Sequence, residues 1–329
     1  MRPMTPFVLL HDHLDGGLRP STLIELADDS GYTGLPTHDP DVLAAYLDQF
    51  EAGSLERYLE AFDHTVAVMS TPEALHRVAY ESLADLAADG VAHAEIRFAP
   101  SLTAFHGLTI EETLESVCDG LRTAAGEHQI TWGFIVDALR HLTDSDEVVE
   151  RSLAVGEAGI VGFDLAGPEA GFPPELHVAA VRRARDGGLR LTIHAGEAAG
   201  AEGPDYMRQA VELGAERIGH GVEIMRDCVV EDGDIVELGP VASMIHDRRI
   251  VLEVCPTSNA STGSIPLEEH PLPVLYRAGF AVTFNTDNRL MSRTTMSREA
   301  DIVRTVLGMD DEAIEEMTAT ARNAAFVSL

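Results

Sequence analysis

Four short segments of the chain end in residues that bind metal ions or move protons: His11-Asp12-His13-Leu14-Asp15-Gly16, His194-Ala195-Gly196-Glu197, Gly219-His220-Gly221 and Asn285-Thr286-Asp287-Asn288. His11 and His13 stand two apart, so in extended chain both imidazoles project to one side. Taken alone, the pair also fits two part-buried histidines bonded to backbone. Asp287 alone also fits the cap of a following helix. Taken jointly, His11, His13, His194 and Asp287 form an N/N/N/O donor set without thiolate. That set suits one Zn²⁺ with a further position left open, the pattern of a catalytic rather than a structural ion. Zinc so held lowers the pKa of water to about 7 and provides a nucleophile at neutral pH.

Two further residues belong to the same chemistry. Glu197 follows His194 across Ala195-Gly196, a small pair that lets the chain turn sharply. A carboxyl group there can protonate a nitrogen of a substrate. The alternative is a glutamate in the first turn of a helix, favoured by the dipole. His220, between Gly219 and Gly221, is a candidate to orient or deprotonate the activated water. Its alternative is a buried histidine bonded to backbone.

Such residues need elements that bring them together. Most of them follow apolar, strand-like runs. Eight candidates recur, at 6–10, 92–98, 130–136, 160–165, 189–193, 217–218, 250–254 and 281–284. The sixth is two residues long and is placed by order. Helical starts lie between them. Thr22 with Glu25, and Thr109 with Glu112, match capping boxes. Thr71-Pro72 reads as a cap followed by proline at the first helical position, and Gly90 as the stop of a helix over 73–88. Apolar residues Leu75, Val78, Ala79, Leu83, Leu86 and Ala87 repeat there with the helical period.

Eight alternating strand–helix units predict a single (β/α)8 TIM-type barrel, one domain over 1–329, with a helical insertion or lid at 14–91 between strands 1 and 2. In such a barrel the active site lies at the C-terminal ends of the strands. His11, His13, His194, His220 and Asp287 all fall there.

Composition narrows the function. The chain has 55 acidic and 23 basic residues, a formal charge of −32. That balance disfavours nucleic acid, anionic membranes and highly phosphorylated substrates. Every basic residue is arginine, which excludes a pyridoxal Schiff base and a phosphate-loop lysine. Cys118, Cys228 and Cys255 are scattered and form no C-x-x-C pair. With no long apolar stretch, the expectation is a reduced, cytoplasmic protein without a membrane span.

The six ordered segments His11-Asp12-His13-Leu14-Asp15-Gly16-Gly17, Gly162-Phe163-Asp164-Leu165-Ala166-Gly167, Thr192-Ile193-His194-Ala195-Gly196-Glu197, Arg217-Ile218-Gly219-His220-Gly221, Cys255-Pro256-Thr257-Ser258-Asn259 and Asn285-Thr286-Asp287 resemble the motif set of the adenosine deaminases, members of the metal-dependent amidohydrolase superfamily. The resemblance implies zinc on His11, His13, His194 and Asp287. It implies that Glu197 donates a proton to purine N1 while activated water adds at C6, and that His220 manages that water. It also implies a backbone contact from Gly167 to purine N3, a ribose contact from Asp15, a structural Cys255, and a proton-shuttling role for Asp287. At Asn288 the chain departs from the family, which usually has an aspartate facing purine N7. An asparagine amide donates to N7 without a protonation step. Arg289 and Arg293 follow near the rim, either to meet an anionic substituent or to form surface salt bridges.

The expected substrate is therefore a small-molecule purine nucleoside, adenosine or 2′-deoxyadenosine. Free adenine or a 6-aminopurine with a modified ribose is the alternative within the same chemistry. A non-catalytic purine-binding relative is the alternative of another class, and the complete set of acid, base and ligand residues argues against it.

Overall fold

The computed structural model describes residues 5–49, 51–198, 200, 202–263 and 265–329. Residues 1–4, at the start of the expected domain, and residue 50, within the expected insertion, lie outside the described residues. Among the described residues, eight parallel strands form a nearly closed barrel: β1 (Phe7–His13), β2 (Val91–Phe98), β3 (Thr131–Leu139), β4 (Ile160–Ala166), β5 (Arg190–Ala195), β6 (Arg217–His220), β9 (Val251–Val254) and β10 (Val282–Phe284), paired in that order. The weak sixth strand is real and runs two residues further, through His220. β1 likewise runs past the apolar run and carries both His11 and His13 within it. An antiparallel hairpin, β7 (Cys228–Glu231) with β8 (Asp234–Leu238), stands apart from the barrel and has no counterpart in the sequence reading.

Five helices separate β1 from β2: α1 (Pro20–Ser30), α2 (Pro40–Leu47), α3 (Leu55–Leu59), α4 (Phe62–Val68) and α5 (Pro72–Ala88). The last starts as its sequence requires. The Thr71 side chain accepts from the Ala74 N–H, Pro72 occupies the first turn, and Gly90 follows at φ +87°. Its face of Leu75, Val78, Ala79, Leu83 and Leu86 is buried. The Thr109–Glu112 capping box forms at the start of the helix Ile110–His128. The Thr22–Glu25 box does not. Pro20 fixes φ at the first turn and starts α1 two residues earlier, so Thr22 is inside the helix and its hydroxyl donates to Glu81 at 2.5 Å.

The barrel interior is apolar only in part. Single charged residues interrupt the strands: Glu95 and Arg97 on β2, Asp137 on β3, Asp164 on β4, Arg217 on β6 and Glu253 on β9, all buried. Arg97 bridges Asp164 (2.6 Å) and Glu253 (2.8 Å). Arg217 bridges Glu95 (2.6 Å) and Glu253 (2.5 Å). Charges this deep persist only when paired, because the desolvation of a lone ion is prohibitive.

The seam between β1 and β10 is closed by the loop that follows β10. His13 N–H donates to the Asp287 carbonyl (2.7 Å), and Asp287 N–H to the His11 carbonyl (3.0 Å). The buried Asp12 carboxylate accepts from Thr286 Oγ1 at 2.7 Å and from Arg289 Nε at 3.0 Å and Nη2 at 3.1 Å. Arg289 is thus held inside the seam and is not free for a substrate anion; Arg293 Nη1 lies 3.7 Å from Asp48 at the surface. Replacing Arg289 by alanine leaves Asp12 buried without its cation. The expected loss is about 3 kcal/mol, read as a lower urea midpoint in equilibrium unfolding; an unchanged midpoint would show that the seam does not depend on this pair.

Candidate metal centre

The C-terminal ends of β1, β5, β6 and the loop after β10 converge. One donor atom each from His11, His194, His220 and Asp287 lie within 4.8 Å of one another. His13 reaches the same point: its Nε2 is 3.2 Å from His194 Nε2 and 3.4 Å from Asp287 Oδ1. Five candidate donors therefore crowd one spot. His220 (φ +63°) and Asp287 (φ +57°) adopt the left-handed backbone region that non-glycine residues avoid. Such strain persists where surrounding structure enforces it, typically at functional sites.

The groups behind the imidazoles distinguish their roles. His11 Nδ1 is 3.0 Å from the Glu253 carboxylate. His194 Nδ1 lies 2.8 Å from Asp164 Oδ2, an ion-pair approach too oblique for a straight hydrogen bond. His13 Nδ1 faces Asp137 at 3.5 Å. Behind His11 and His194 a carboxylate draws the ring proton to Nδ1 and leaves a lone pair on Nε2, as a metal ligand requires. Burial and the neighbouring Asp164 push the Asp137 carboxyl well above its ordinary range, so it is neutral and does not fix the His13 tautomer in the same way. His220 is the reverse of His11 and His194. Its Nδ1 lies 3.0 Å from Asn259 Nδ2, and Asn259 Oδ1 is fixed as the oxygen by accepting from Cys255 N–H at 3.2 Å. The Asn259 amide therefore donates to His220 Nδ1, and the His220 proton belongs on Nε2. That Nε2–H is a donor, 3.6 Å from Glu197 Oε2.

Electrostatics fit a cation at this point. Burial holds the His13 and His220 imidazoles well below their ordinary range, so both are neutral. For His11, burial and Arg97 act downward, yet hydrogen bonds to Asp287 and Glu253 outweigh them and the net shift is upward. Burial acts against ionisation of Asp287, but His11, His220 and His13 hold it well below the usual carboxylate range. The cluster thus favours positive charge. His13 Nε2 and His194 Nε2 lie 3.2 Å apart, close enough for one cation to take a lone pair from each. Ser258 Oγ donates to Asp287 Oδ2 at 2.5 Å, which leaves Oδ1 to face His11 Nε2 at 3.2 Å.

A cavity of about 460 Å³ opens beside this cluster. Asp15, Gly167, Glu197, His220, Asp287 and Asn288 all line it, so the residues named from sequence for substrate, acid and water share one space. Gly167 takes φ +90°, which aims the backbone of its loop in a way few other residues would tolerate. Burial pushes the Asp15 carboxyl up to about 7, with Asp287 and Asp12 adding to the effect. Leu55, Tyr58, Leu59 and Phe62 from α3 and α4 form an apolar wall opposite the cluster. Cys255 is buried, its thiol donates to the Glu253 carbonyl at 3.4 Å, and burial pushes it far from the thiolate state.

Sequence reasoning did not assign the groups behind the ligands. Asp137, Asp164 and Glu253 carry one signal that could have found them: each is a lone acidic residue inside an otherwise apolar strand. Asn259 and Glu169 have no such signal, because contacts between distant loops define them. Asp164→Asn keeps the shape but removes the anion behind His194. Metal affinity is expected to fall about 10–100-fold, measured by competition with a chromophoric chelator. Unchanged affinity would detach Asp164 from the site.

Comparison with known proteins agrees with the geometry. A family model described as adenosine deaminase matches residues 6–329. An adenosine deaminase from Mycobacterium marinum is 48% identical, over 98% of this chain and 91% of that protein. Among solved structures, an adenine deaminase from Arthrobacter aurescens superposes with TM-score 0.88 at 28% identity, over 98% of this chain and 94% of that one. An amidohydrolase from Burkholderia ambifaria, with bound Zn, gives TM-score 0.86 at 25% identity, over 98% of this chain and 86% of that one. A barrel whose strand ends gather four imidazoles and a carboxylate, matched over almost its whole length, belongs to the adenosine deaminase family.

Proposed function

We propose that this protein is a zinc-dependent hydrolase that deaminates adenosine or 2′-deoxyadenosine, releasing ammonia and the 6-oxo purine nucleoside. The carrying observation is what stands behind the rings: carboxylates behind His11 and His194 leave their Nε2 lone pairs for a metal, and an amide donor behind His220 leaves that ring an N–H. His11, His13, His194 and Asp287 would hold one zinc ion, whose Lewis acidity brings the pKa of water near 7. A bound Zn in the Burkholderia relative supports that choice of metal.

The chain's own residues supply the rest. Glu197 donates a proton to purine N1 as water oxygen bonds to C6, which removes electron density from the ring and makes C6 electrophilic. His220 Nε2–H points at the oxygen being added and offsets its negative charge. The C6–N bond then breaks, the amino nitrogen takes a proton delivered through Asp287, and ammonia leaves. Gly167 offers its N–H to N3, Asn288 its amide to N7, and Asp15 engages a ribose hydroxyl. Near neutral pH, a carboxyl group poised at about 7 both donates and accepts. The wall from α3 and α4 closes over the base and keeps bulk water from competing.

Free adenine would leave buried Asp15 without a ribose hydroxyl to engage, which favours a nucleoside. A 5′-phosphate would meet Asp15, Asp63 and Asp137 and no arginine, since none lines the cavity among the described residues.

Glu197→Gln removes the proton donor while the ligands remain. Zinc stoichiometry is expected to stay at one per chain and kcat/KM for adenosine to fall by about 10²–10⁴-fold in an ammonia-release assay; wild-type turnover would remove Glu197 from the chemistry. In the same assay AMP is expected to react at least about 100-fold less efficiently than adenosine, because a phosphate drawn into a cavity without an arginine loses its hydration and gains no cation. Comparable efficiencies would place the sugar end elsewhere.

A further inference from the structure

Glu197 acts only if its carboxyl group is held against purine N1, and where a glutamate side chain reaches depends on the direction its backbone gives it. The residues that aim it lie outside the metal cluster. Glu169, in the loop after β4, is buried and turns its carboxylate on three consecutive backbone N–H groups. Oε1 accepts from Gly196 at 2.6 Å, and Oε2 accepts from Glu197 at 2.9 Å and Ala198 at 2.8 Å. Three converging N–H groups ordinarily mark a helix start, yet the next described helix begins only at Gly203. They form a turn whose closing anion is a side chain from another strand's loop.

The other side of the turn is also held. Arg140, itself buried, donates from Nη1 to the His194 carbonyl at 2.9 Å and from Nε to the Phe172 carbonyl at 2.8 Å. Gly196 bends the chain at φ +72°, where an added Cβ would meet Met207 Sδ at 2.7 Å. Backbone from ligand to acid is thereby fixed at its carbonyl end by Arg140 and at its N–H end by Glu169. Glu169 stands two residues after Gly167, the proposed contact for purine N3. One short loop therefore holds the base and aims its proton donor.

We propose that Glu169 is a positioning residue: by binding the N–H groups of Gly196, Glu197 and Ala198 it sets the Glu197 carboxyl against N1 of a base held by its own loop. The proposal rests on Glu197 being the proton donor. Glutamine at 169 keeps the length but replaces one acceptor oxygen by an N–H donor, which faces a backbone N–H and opens the turn.

The test uses zinc-loaded Glu169→Gln beside Glu197→Gln and wild type. It records kcat and KM for adenosine, zinc content, and inhibition by two nucleosides. Purine riboside has no amino group to lose, and its 1,6-hydrate, with a hydroxyl at C6 and a proton at N1, mimics the tetrahedral intermediate and is expected to be the form held. 1-Deazaadenosine has carbon at that position and makes no N1 contact. Expected for Glu169→Gln is a kcat about 100-fold lower with KM little changed, since misplacing a reacting group by an ångström costs that much. Inhibition by purine riboside weakens about tenfold or more while that by 1-deazaadenosine stays within about twofold, a split that separates the N1 contact from general binding. Wild-type kcat, equal weakening of both inhibitors, or lost zinc overturns the proposal. An active Glu197→Gln overturns the donor assignment instead; an inactive Glu197→Gln beside an unimpaired Glu169→Gln overturns only the positioning role. Should Glu169→Gln not fold, Glu169→Asp, which keeps the anion and shortens its reach, is read by the same criteria, and failure of both to fold makes Glu169 a scaffold residue and ends the proposal.

Discussion

The site depends on what stands behind each imidazole. Four histidine rings meet within a few ångströms, and ring type alone makes them equivalent. Glu253 and Asp164 break that equivalence by favouring the protons of His11 and His194 on the nitrogens that face away from the cluster. Asn259 does the opposite to His220. The strand ends deliver the rings, and the surrounding groups decide which nitrogen of each carries the proton, which is what the proposed ligand and proton-donor roles rest on.

That shell imposes the architecture below it. Carboxylates inside a barrel carry a desolvation cost that only close cations offset. Arg97 and Arg217 are those cations, and both reach Glu253, which also faces His11 and accepts from Thr192 Oγ1 at 3.2 Å. Burial resists ionisation of Glu253, but the two arginines outweigh it and hold the carboxyl group well below its ordinary range. The base of the barrel closes on the same network: the Arg217 guanidinium lies 3.6 Å over the Phe326 ring, and Phe326 N–H donates to Glu95. The chain's last residues therefore support, through two charges, the ring that begins the metal cluster.

Much of this is legible in the sequence, for identifiable reasons. His11, His13, His194 and His220 are visible because each stands at the C-terminal end of a strand, and Asp287 because it follows one, and strand ends share one rim in a barrel. The helix α5 and the helix Ile110–His128 are visible because their caps are local hydrogen bonds. Asp15, Gly167 and Asn288 were placed by family resemblance, and they do line the cavity. Distance in sequence hides the rest. Thr22 looks like a cap until Pro20 is seen to start the helix first. Arg289 looks like a surface charge until Asp12, 277 positions away, is found against it. Glu169 and Asn259 act on backbone or rings that only the closed barrel brings near them: Asn259 lies in a segment that resembles the family's motifs, but its contact with His220 is not legible there, and no local pattern marks Glu169.

X-ray absorption at the zinc edge of the reconstituted protein measures the central claim most directly. The account predicts one zinc per chain, surrounded by about three imidazole nitrogens and carboxylate or water oxygen at about 2.0–2.2 Å, with the outer-shell scattering of three rings. Sulfur at about 2.3 Å, scattering from one ring or none, or protein that takes up no zinc would contradict it.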